Sequence, residues 1–179
     1  MSNQIVLLSG SPRKGGNTDR LVEAFMEGAA EAEKSVNLFR VADMEIKGCL
    51  GCGHCHNHNG VCVQKDDMTV ILDVLREAEA LVLASPVYFF GVTAQLKLAI
   101  DRTYALLRQK TQREKVALLM TCGNGDASVA EGAILMLEKM CWISHYENAG
   151  VIVATGIHGM DDIIGRPELE QAKELGQKI

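Results

Sequence analysis

The feature that most constrains this chain is a repeated alternation between short apolar runs and longer segments with helical periodicity. Apolar runs of this length are typical of buried strands, and strands that alternate with helices indicate a parallel sheet. We therefore predict a doubly wound α/β fold, with five parallel strands and helices on both faces. The predicted strands are Ile5–Ser9, Val36–Val41, Ala80–Ala84, Val116–Thr121 and Gly150–Thr155.

The predicted helices rest on apolar residues that recur every three or four positions. Asp66 or Asp67 is expected to cap the second helix, and Pro167 occupies a favoured first position of the last one. Residues 48–63 are rich in Gly, His and Asn, so they are predicted to form a loop. The predicted helices run from about Thr18 to Glu33, Asp66 to Ala78, Thr93 to Leu106, Ala127 to Met140, and Pro167 to the end.

Length and charge limit the classes of function. The chain has 179 residues without a linker or an internal repeat, which predicts one domain over residues 1–179. Its net charge of −5 argues against a nucleic-acid partner. No apolar stretch reaches the roughly 18 residues that a membrane span needs, and the amino terminus lacks a signal-peptide pattern. We therefore expect a cytoplasmic protein with no membrane partner.

The stretch from Ser9 to Thr18 joins the first predicted strand to the first predicted helix. Its glycines let the backbone approach an anion closely, and the first amides of a helix lack partners within the helix. Polar and basic side chains add donors and positive charge, which favours a phosphate site over the alternative of an ordinary helix start. The candidate side chains are Ser9, Ser11, Arg13, Asn17 and Thr18.

This loop lacks the residues of the common nucleotide-binding motifs. Gly10 and Gly15 have P-loop spacing, but a lysine and a hydroxyl residue do not follow, which argues against a nucleoside triphosphatase. The three spaced glycines of a dinucleotide-binding fingerprint are missing as well. A hydroxyl-rich loop suits a terminal phosphate monoester, because that dianion accepts several charge-assisted hydrogen bonds.

Two further loops follow predicted strands and are expected at the same edge of the sheet. A flat aromatic ligand with a phosphate tail fits an aromatic loop beside a phosphate site, and FMN is the common example. Alternatively, the aromatic residues cover the sheet edge, the second loop is a simple glycine turn, and His158 at the same edge is an exposed loop residue. The candidate ring contacts are Pro86, Val87, Tyr88 and Phe89 in one loop, and Thr121, Gly123, Asn124 and Asp126 in the other.

Four of the six cysteines lie within 14 residues, at Cys49, Cys52, Cys55 and Cys62. Three cysteines at steps of three surround one point closely, as in ferredoxin runs that bind a [4Fe–4S] cluster, whereas zinc sites more often pair two ligands with two distant ones. The array therefore predicts metal ligation by these four residues. Zinc, reduced thiols and a disulfide are the alternatives, and the nearby histidines 54, 56 and 58 are alternative ligands or solvated loop residues.

Three motifs together resemble the NADPH-dependent FMN reductase family of flavodoxin-like proteins, and the cysteine array resembles that family's iron-sulfur flavoprotein branch. The motifs are Ser9–Thr18, Ser85–Tyr88 and the stretch from Lys97 to Arg102. The resemblance covers essentially the whole chain and implies the strand order 2-1-3-4-5. It implies an FMN whose phosphate lies on Ser11, Arg13, Asn17 and Thr18, with the ring against Pro86–Phe89 and Thr121–Asp126. It also implies a homodimer or tetramer.

The resemblance implies an oxidoreductase that passes electrons from NAD(P)H or a reduced donor protein through FMN, and through a [4Fe–4S] cluster, to an acceptor. The acceptor is expected to be a small molecule or a ferredoxin-like protein. The alternatives are a cluster-free two-electron FMN or quinone reductase, a non-enzymatic flavin electron carrier, and a regulatory protein that senses redox state or zinc. No side-chain acid or base is required, because the flavin itself carries the chemistry.

Overall fold

The computed structural model describes residues 3–109 and 115–179. Its centre is a five-stranded parallel sheet with the strand order β2-β1-β3-β4-β5. This arrangement confirms the predicted doubly wound sheet and the order 2-1-3-4-5. The strands are β1 (Gln4–Ser9), β2 (Ser35–Arg40), β3 (Ala80–Pro86), β4 (Lys115–Thr121) and β5 (Glu147–Ala154).

The helices follow the strands as the periodicity predicts, with bounds that differ by a few residues. Short 3-10 helices cover Val41–Asp43, Thr103–Leu106 and Ala127–Ala130. The α-helices are α1 (Asn17–Glu31), α2 (His54–Asn57), α3 (Met68–Glu77), α4 (Ala94–Arg102), α5 (Glu131–Ser144) and α6 (Pro167–Lys178). In the described part of the chain, no helix is both long and apolar enough to cross a membrane.

The core consists of two layers because successive side chains of a strand point to opposite faces of the sheet. Ile5 and Leu7 of β1 pack with α1 and α6 on one face. Val6 and Leu8 pack with α3, α4 and α5 on the other face. All four side chains are fully buried. The helices on both faces therefore leave the carboxyl edge of the sheet to the connecting loops.

Two details differ from the sequence-based expectation. The loop at residues 48–63, called the cysteine segment below, contains the one-turn helix α2. Asp67 is the N-cap residue of α3, but its side chain makes no capping bond to that helix. Its Oδ2 accepts a hydrogen bond from the Glu45 amide at 2.8 Å instead. The carboxylate therefore fastens the chain before the cysteine segment to the start of α3.

Candidate functional site

A cavity of about 270 Å³ opens at the carboxyl ends of β1, β3 and β4. This is the edge where the strand order reverses between β1 and β3, the usual ligand site of doubly wound sheets. We call it the edge cavity. Its lining consists of Ser11, Arg13, Gly16, Asn17, Thr18, Pro86, Val87, Tyr88, Thr121, Cys122, Gly123, Ile157, His158 and Met160.

The amino terminus of α1 forms one wall of the edge cavity. The N-cap residue Gly16 has no side chain to cap the helix, so the first amides are left for a ligand. Lys14 forms an ion pair with Asp43 at 3.1 Å. Within residues 3–109 and 115–179, the Arg13 guanidinium has no carboxylate partner. The wall therefore combines backbone donors with one available positive charge, as a phosphate site requires.

Asp19 in the first turn of α1 would repel a phosphate if its charge were not compensated. Its Oδ2 accepts from the Gly15 amide at 2.8 Å, and its Oδ1 accepts from Arg40 Nη1 at 2.6 Å. Arg40 also donates to the Ser11 carbonyl oxygen at 3.3 Å. Burial lowers the pKa of Arg40, but the bonds to Asp19 and Asp43 outweigh burial and raise it above its ordinary value. Arg40 therefore neutralises the acidic residue beside the cavity.

Hydroxyl groups hold the loops around the cavity in place. Thr18 Oγ1 lies 2.8 Å from Thr121 Oγ1, which links the start of α1 to the end of β4. Thr93 Oγ1 donates to the Gly10 carbonyl oxygen at 2.9 Å, and Ser85 Oγ accepts from the Thr93 amide at 3.0 Å. A Cβ on Gly10 would lie 2.5 Å from Thr93 Oγ1, so only glycine fits there. The loops after β1, β3 and β4 therefore form one hydrogen-bonded unit.

The loop after β5 forms the opposite wall, although none of its residues is among the predicted cofactor contacts. Asn17 holds this loop, because its Nδ2 donates to the Gly159 carbonyl oxygen and its Oδ1 accepts from the Ile163 amide. Asp162 accepts from the amides of Gly159 at 2.7 Å and His158 at 2.9 Å, and these bonds lower its pKa. The side chain of Asn17 is thus occupied by the protein, while its backbone amide remains at the helix start.

Nine of the thirteen predicted cofactor contacts lie together in the lining of the edge cavity, and four do not. Ser9 is buried, and its hydroxyl has no partner in the described residues. Phe89 is fully exposed with a positive φ of 46°. Asn124 accepts from the Asp126 amide, and Asp126 accepts from the Ser128 amide, so both shape their own turn. Cofactor contact by these four residues stays a prediction.

The cysteine segment lies apart from the edge cavity. Cys49 and Cys52 are exposed, Cys55 and Cys62 are half-buried, and all four are free thiols. Burial, followed by the nearby Cys62 and Cys49, raises the pKa of the Cys55 thiol. Across residues 3–109 and 115–179, the structure brings no three metal-ligating side chains together closely enough to hold an ion.

The histidines of this segment contact aromatic rings. The rings of His54 and His58 stack at a centroid distance of 3.7 Å, and His58 Nδ1 lies 2.8 Å from the His54 carbonyl oxygen. The ring of His56 packs against Tyr104, with the ring centroids 4.6 Å apart. Each of these three histidines, which the sequence offers as alternative metal ligands, therefore has an aromatic ring as its neighbour.

A buried ion pair fastens the two ends of the cysteine segment to α4. Arg102 is only 2% exposed, and its two terminal nitrogens donate to Asp66 Oδ2 at 2.8 Å and Oδ1 at 2.9 Å. Arg102 Nη1 also donates to the Lys47 carbonyl oxygen at 2.8 Å, and the Lys47 amide donates to Asp66 at 3.0 Å. Burial raises the pKa of Asp66, but the Arg102 and Lys47 bonds outweigh it and lower the pKa.

The residues of the edge cavity and those of the cysteine segment suit two different cofactors. In the described residues, the edge cavity joins a helix start without a side-chain cap and a guanidinium without a carboxylate partner to a loop with Pro86, Val87 and Tyr88, which fits a phosphate-bearing aromatic cofactor. The cysteine segment supplies four free thiols, which is the donor set of a Cys₄ iron-sulfur cluster. The thiols fit such a cluster in chemistry, although they would have to converge to bind it.

A second cavity of about 480 Å³ lies between α4 and α5, near the amino ends of β3 and β4. Its walls are mainly apolar, with Leu81, Ile100 and Val116 at its base and Cys49 at one side. Among residues 3–109 and 115–179, its lining includes no helix amino terminus and no arginine or lysine. The larger cavity is therefore a poor phosphate site, and the edge cavity is the better candidate.

The sequence matches the family model described as NADPH-dependent FMN reductase over residues 3–154. An iron-sulfur flavoprotein of Methanocaldococcus jannaschii is 34% identical over 188 residues, covering 98% of this chain and 95% of the relative. An iron-sulfur flavoprotein of Archaeoglobus fulgidus is 32% identical, covering 95% of this chain and 76% of the relative.

Solved structures share the fold at low sequence identity. An NAD(P)H:quinone oxidoreductase from Methanothermobacter marburgensis has a TM-score of 0.81 at 20% identity, covering 99% of this chain and 96% of that one. An azoreductase from Bacillus anthracis has a TM-score of 0.74 at 18% identity, covering both chains completely. These similarities establish the flavodoxin-like fold.

Proposed function

This chain belongs to the NADPH-dependent FMN reductase family, and we propose that it is an FMN-dependent NAD(P)H oxidoreductase of the iron-sulfur flavoprotein type. One observation carries the proposal: the edge cavity combines an uncapped helix amino terminus, an available guanidinium and a loop with an aromatic residue at the switch point of the sheet. When bound there, FMN would supply the hydride-accepting chemistry. The residues of the chain would hold and shield it.

The phosphate of FMN is proposed to bind at the α1 wall. Gly16 and Asn17 offer amides, and Arg13 offers a charge-assisted bond. The Thr18 hydroxyl can donate to the phosphate while it accepts from Thr121, and the Ser11 hydroxyl would exchange its bond to the Arg13 carbonyl oxygen for one to the phosphate. Asn17 would contribute through its backbone, because its side chain already binds the loop after β5. Arg40 supports the site indirectly by compensating the charge of Asp19.

The flavin ring is proposed to lie against the loops after β3, β4 and β5. Pro86, Val87 and Tyr88 offer apolar and aromatic surface, and the Thr121–Gly123 turn offers backbone groups. His158 in the loop after β5 lines the same cavity. These walls would orient the ring and exclude water on one side, leaving the open side of the cavity to NAD(P)H and the acceptor.

We further propose that Cys49, Cys52, Cys55 and Cys62 hold a [4Fe–4S] cluster. The four free thiols and the names of the two relatives above support this assignment. A cluster would provide a route to a one-electron acceptor, such as a ferredoxin-like protein. The second candidate is a cluster-free two-electron reductase of a quinone or another small molecule, which the exposure of Cys49 and Cys52 favours.

A homo-oligomer, either a dimer or a tetramer, is also proposed. The helix α5 supports it, because Leu135, Trp142 and Ile143 are all exposed large apolar residues on that one helix. Sedimentation velocity of the flavin-loaded protein should give a mass of two or four chains. A single chain at micromolar concentration would contradict the proposal.

The test is a comparison of wild-type protein with a variant in which the four clustered cysteines are replaced by serine, both prepared without oxygen and supplied with FMN, iron and sulfide. The control variant is Cys141→Ser, because Cys141 is a buried cysteine of α5 outside the array. We expect about one FMN and about four irons per wild-type chain, with the flavin band bleached by NADPH or NADH. The four-serine variant should keep the flavin and lose the iron.

Other outcomes of this test favour the rival functions. Flavin without iron in the wild-type protein would support the cluster-free reductase. A flavin that only a reduced ferredoxin bleaches would support a non-enzymatic electron carrier. A protein without flavin would overturn the whole proposal.

A further inference from the structure

A strained two-residue turn lies at the rim of the edge cavity. Tyr88, which lines the cavity, and Gly91 exchange backbone hydrogen bonds at 2.9 Å and 3.0 Å. The two residues between them, Phe89 and Phe90, have φ values of 46° and 64°, in the left-handed region. A turn with two positive φ values strongly prefers Asn-Gly, because a bulky side chain is strained there. Phenylalanine at both positions therefore calls for an explanation beyond the needs of the turn.

The rest of the fold holds this turn in place. Just before it, the Val87 amide donates to the Thr121 carbonyl oxygen at 2.8 Å, which fastens the chain to the end of β4. Within it, the Phe90 carbonyl oxygen packs on Gly132, where a Cβ would lie only 2.5 Å away. Gly132 lies in the first turn of α5. The strained backbone is thus held from two sides, which fixes where the two phenylalanine residues lie along the rim.

Stability of the fold does not explain Phe89. Its side chain is fully exposed, so it buries no apolar surface within the chain. Its Cα lies about 3.8 Å from that of its neighbour Tyr88 in the cavity lining. Met160, which is half-exposed, lines the opposite wall. The mouth of a mainly polar cavity therefore has apolar groups on two sides, and a ligand that contacts them would account for both the strain and the exposure.

We propose that Phe89 is a specificity-determining residue, whose ring forms a platform for the flat ring of a second ligand at the mouth of the edge cavity. That ring is the nicotinamide of NAD(P)H or a planar acceptor such as a quinone. A phenyl ring offers no hydrogen bond, and it favours other flat rings through stacked or edge-to-face contact. The inference rests on the proposed FMN site and is independent of any metal in the cysteine segment.

The proposed chemistry balances with such an acceptor. A quinone takes two electrons and two protons to become a hydroquinone. NADPH supplies a hydride by way of the flavin and becomes NADP⁺, and the solvent supplies the remaining proton. Phe89 takes no part in these transfers and acts only by binding the flat ring.

The experiment compares Phe89→Gly with Phe90→Gly, because glycine relieves the backbone strain at either position but only the first change removes the Phe89 ring. Phe89→Tyr keeps an aromatic ring and is the conservative variant. All proteins comprise the whole chain and are loaded with FMN. The readouts are the dissociation constants of menadione and NADP⁺ with the oxidised protein, and kcat/KM for ferricyanide, an acceptor without a flat ring. Urea unfolding of the flavin-free proteins reports the strain.

For Phe89→Gly we expect the dissociation constant of menadione, of NADP⁺ or of both to rise about threefold to tenfold, the size of one aromatic contact. The ligand whose affinity falls identifies the ring that stacks. Phe89→Tyr and Phe90→Gly should bind both ligands within about twofold of wild type. Both glycine variants should unfold at a urea concentration equal to or higher than that of wild type. Ferricyanide should react equally well with all variants, because it has no ring to stack.

A flavin-loaded Phe89→Gly variant that binds both ligands as wild type does would overturn the inference and leave the proposed FMN site intact. Equal losses in Phe89→Gly and Phe90→Gly, or a matching loss with ferricyanide, would also overturn it, because the turn and not the ring would then be responsible. If Phe89→Gly takes up no flavin, Phe89→Asn gives the same comparison, since asparagine also tolerates a positive φ. A wild-type protein that binds no FMN would overturn the proposed function and this inference together.

Discussion

The edge cavity draws its walls from loops at the ends of β1, β3, β4 and β5, whereas the cysteine segment contains no strand and is anchored by an ion pair at its two ends. In the first region, strand pairing and the Thr18–Thr121 and Thr93–Gly10 bonds fix the groups before any ligand arrives. In the second, Asp66 and Arg102 anchor the segment, and the described residues do not bring its thiols together.

This difference indicates two kinds of site. The proposed flavin site is part of the topology, so it should form without its ligand. The proposed metal site would require the metal to bring its ligands together. Changes in one region should therefore leave the other largely intact, and the predictions below test that separation.

The largest expected effect comes from breaking the anchor of the cysteine segment. Asp66→Ala leaves Arg102 buried without its partner, which should cost about 3–5 kcal/mol of unfolding free energy in the metal-free protein. The measurement is urea unfolding. Asp101→Ala, which breaks an exposed pair, is the control and should cost less than about 1 kcal/mol. Equal losses in the two variants would contradict the role of the anchor.

The next effect concerns the phosphate. Arg13→Gln should weaken FMN binding by about 1.5–3 kcal/mol, because it removes a charge-assisted hydrogen bond to the phosphate. Riboflavin, which has no phosphate, should bind the variant and the wild type equally, and fluorescence titration measures both ligands. Lys14→Gln is the control, since Lys14 is already paired with Asp43. A loss of riboflavin affinity equal to that of FMN would place Arg13 away from the phosphate.

The hydroxyl of Thr93 tests whether the cavity is held in place by its own hydrogen bonds. Thr93→Val leaves the Gly10 carbonyl oxygen and the Leu96 amide without that partner, which should cost about 1–3 kcal/mol of unfolding free energy. FMN affinity should fall as well, while iron content stays at the wild-type level. Thr93→Ser keeps the hydroxyl and should restore both properties. A valine variant with unchanged stability and FMN affinity would show that the loops are fixed by other contacts.

The smallest expected effect is a pH-dependent one in the loop after β5. Asp162 accepts hydrogen bonds from two backbone amides, and these bonds lower its pKa. Its stabilisation of the loop is therefore present above the ordinary Asp pKa and is lost as the pH falls through the lowered value. Asp162→Ala should therefore weaken riboflavin binding about twofold to fivefold at pH 7. The difference from wild type should begin to shrink only as the pH falls below about 4, and it should disappear once the pH is below the lowered pKa of Asp162. A difference that persists at low pH would contradict the carboxylate's role.

The fold and much of the cavity follow from local sequence patterns. Continuous apolar runs, alternating with segments of helical periodicity, predict the strands β1 to β5 and the helices that connect them. Polar loops at the strand ends predict the part of the cavity lining from Ser11 to Thr18 and from Pro86 to Tyr88. Each of these signals lies within a short stretch of sequence. The strand ends then meet because a parallel sheet brings all its carboxyl ends to one edge.

The features of the structure that the sequence did not predict depend on contacts between residues distant in sequence. Arg102 lies 36 positions from Asp66, and Arg40 lies 21 positions from Asp19, so no local pattern joins either pair. The sequence also predicts that Asn17 offers its side chain to a ligand, whereas in the fold that side chain binds the loop 142 positions away that contains Gly159. Which of several polar groups a residue contacts is decided by packing, and packing is a property of the whole fold.

We expect the edge cavity to be a preformed FMN site, independent of the cysteine segment. The most direct test is an anaerobic titration of metal-free protein with FMN, followed by addition of NADPH or NADH. We predict saturation at about one FMN per chain and bleaching of the flavin band by the nicotinamide. Protein that takes up no FMN, or takes it up only after iron and sulfide are added, would contradict the account.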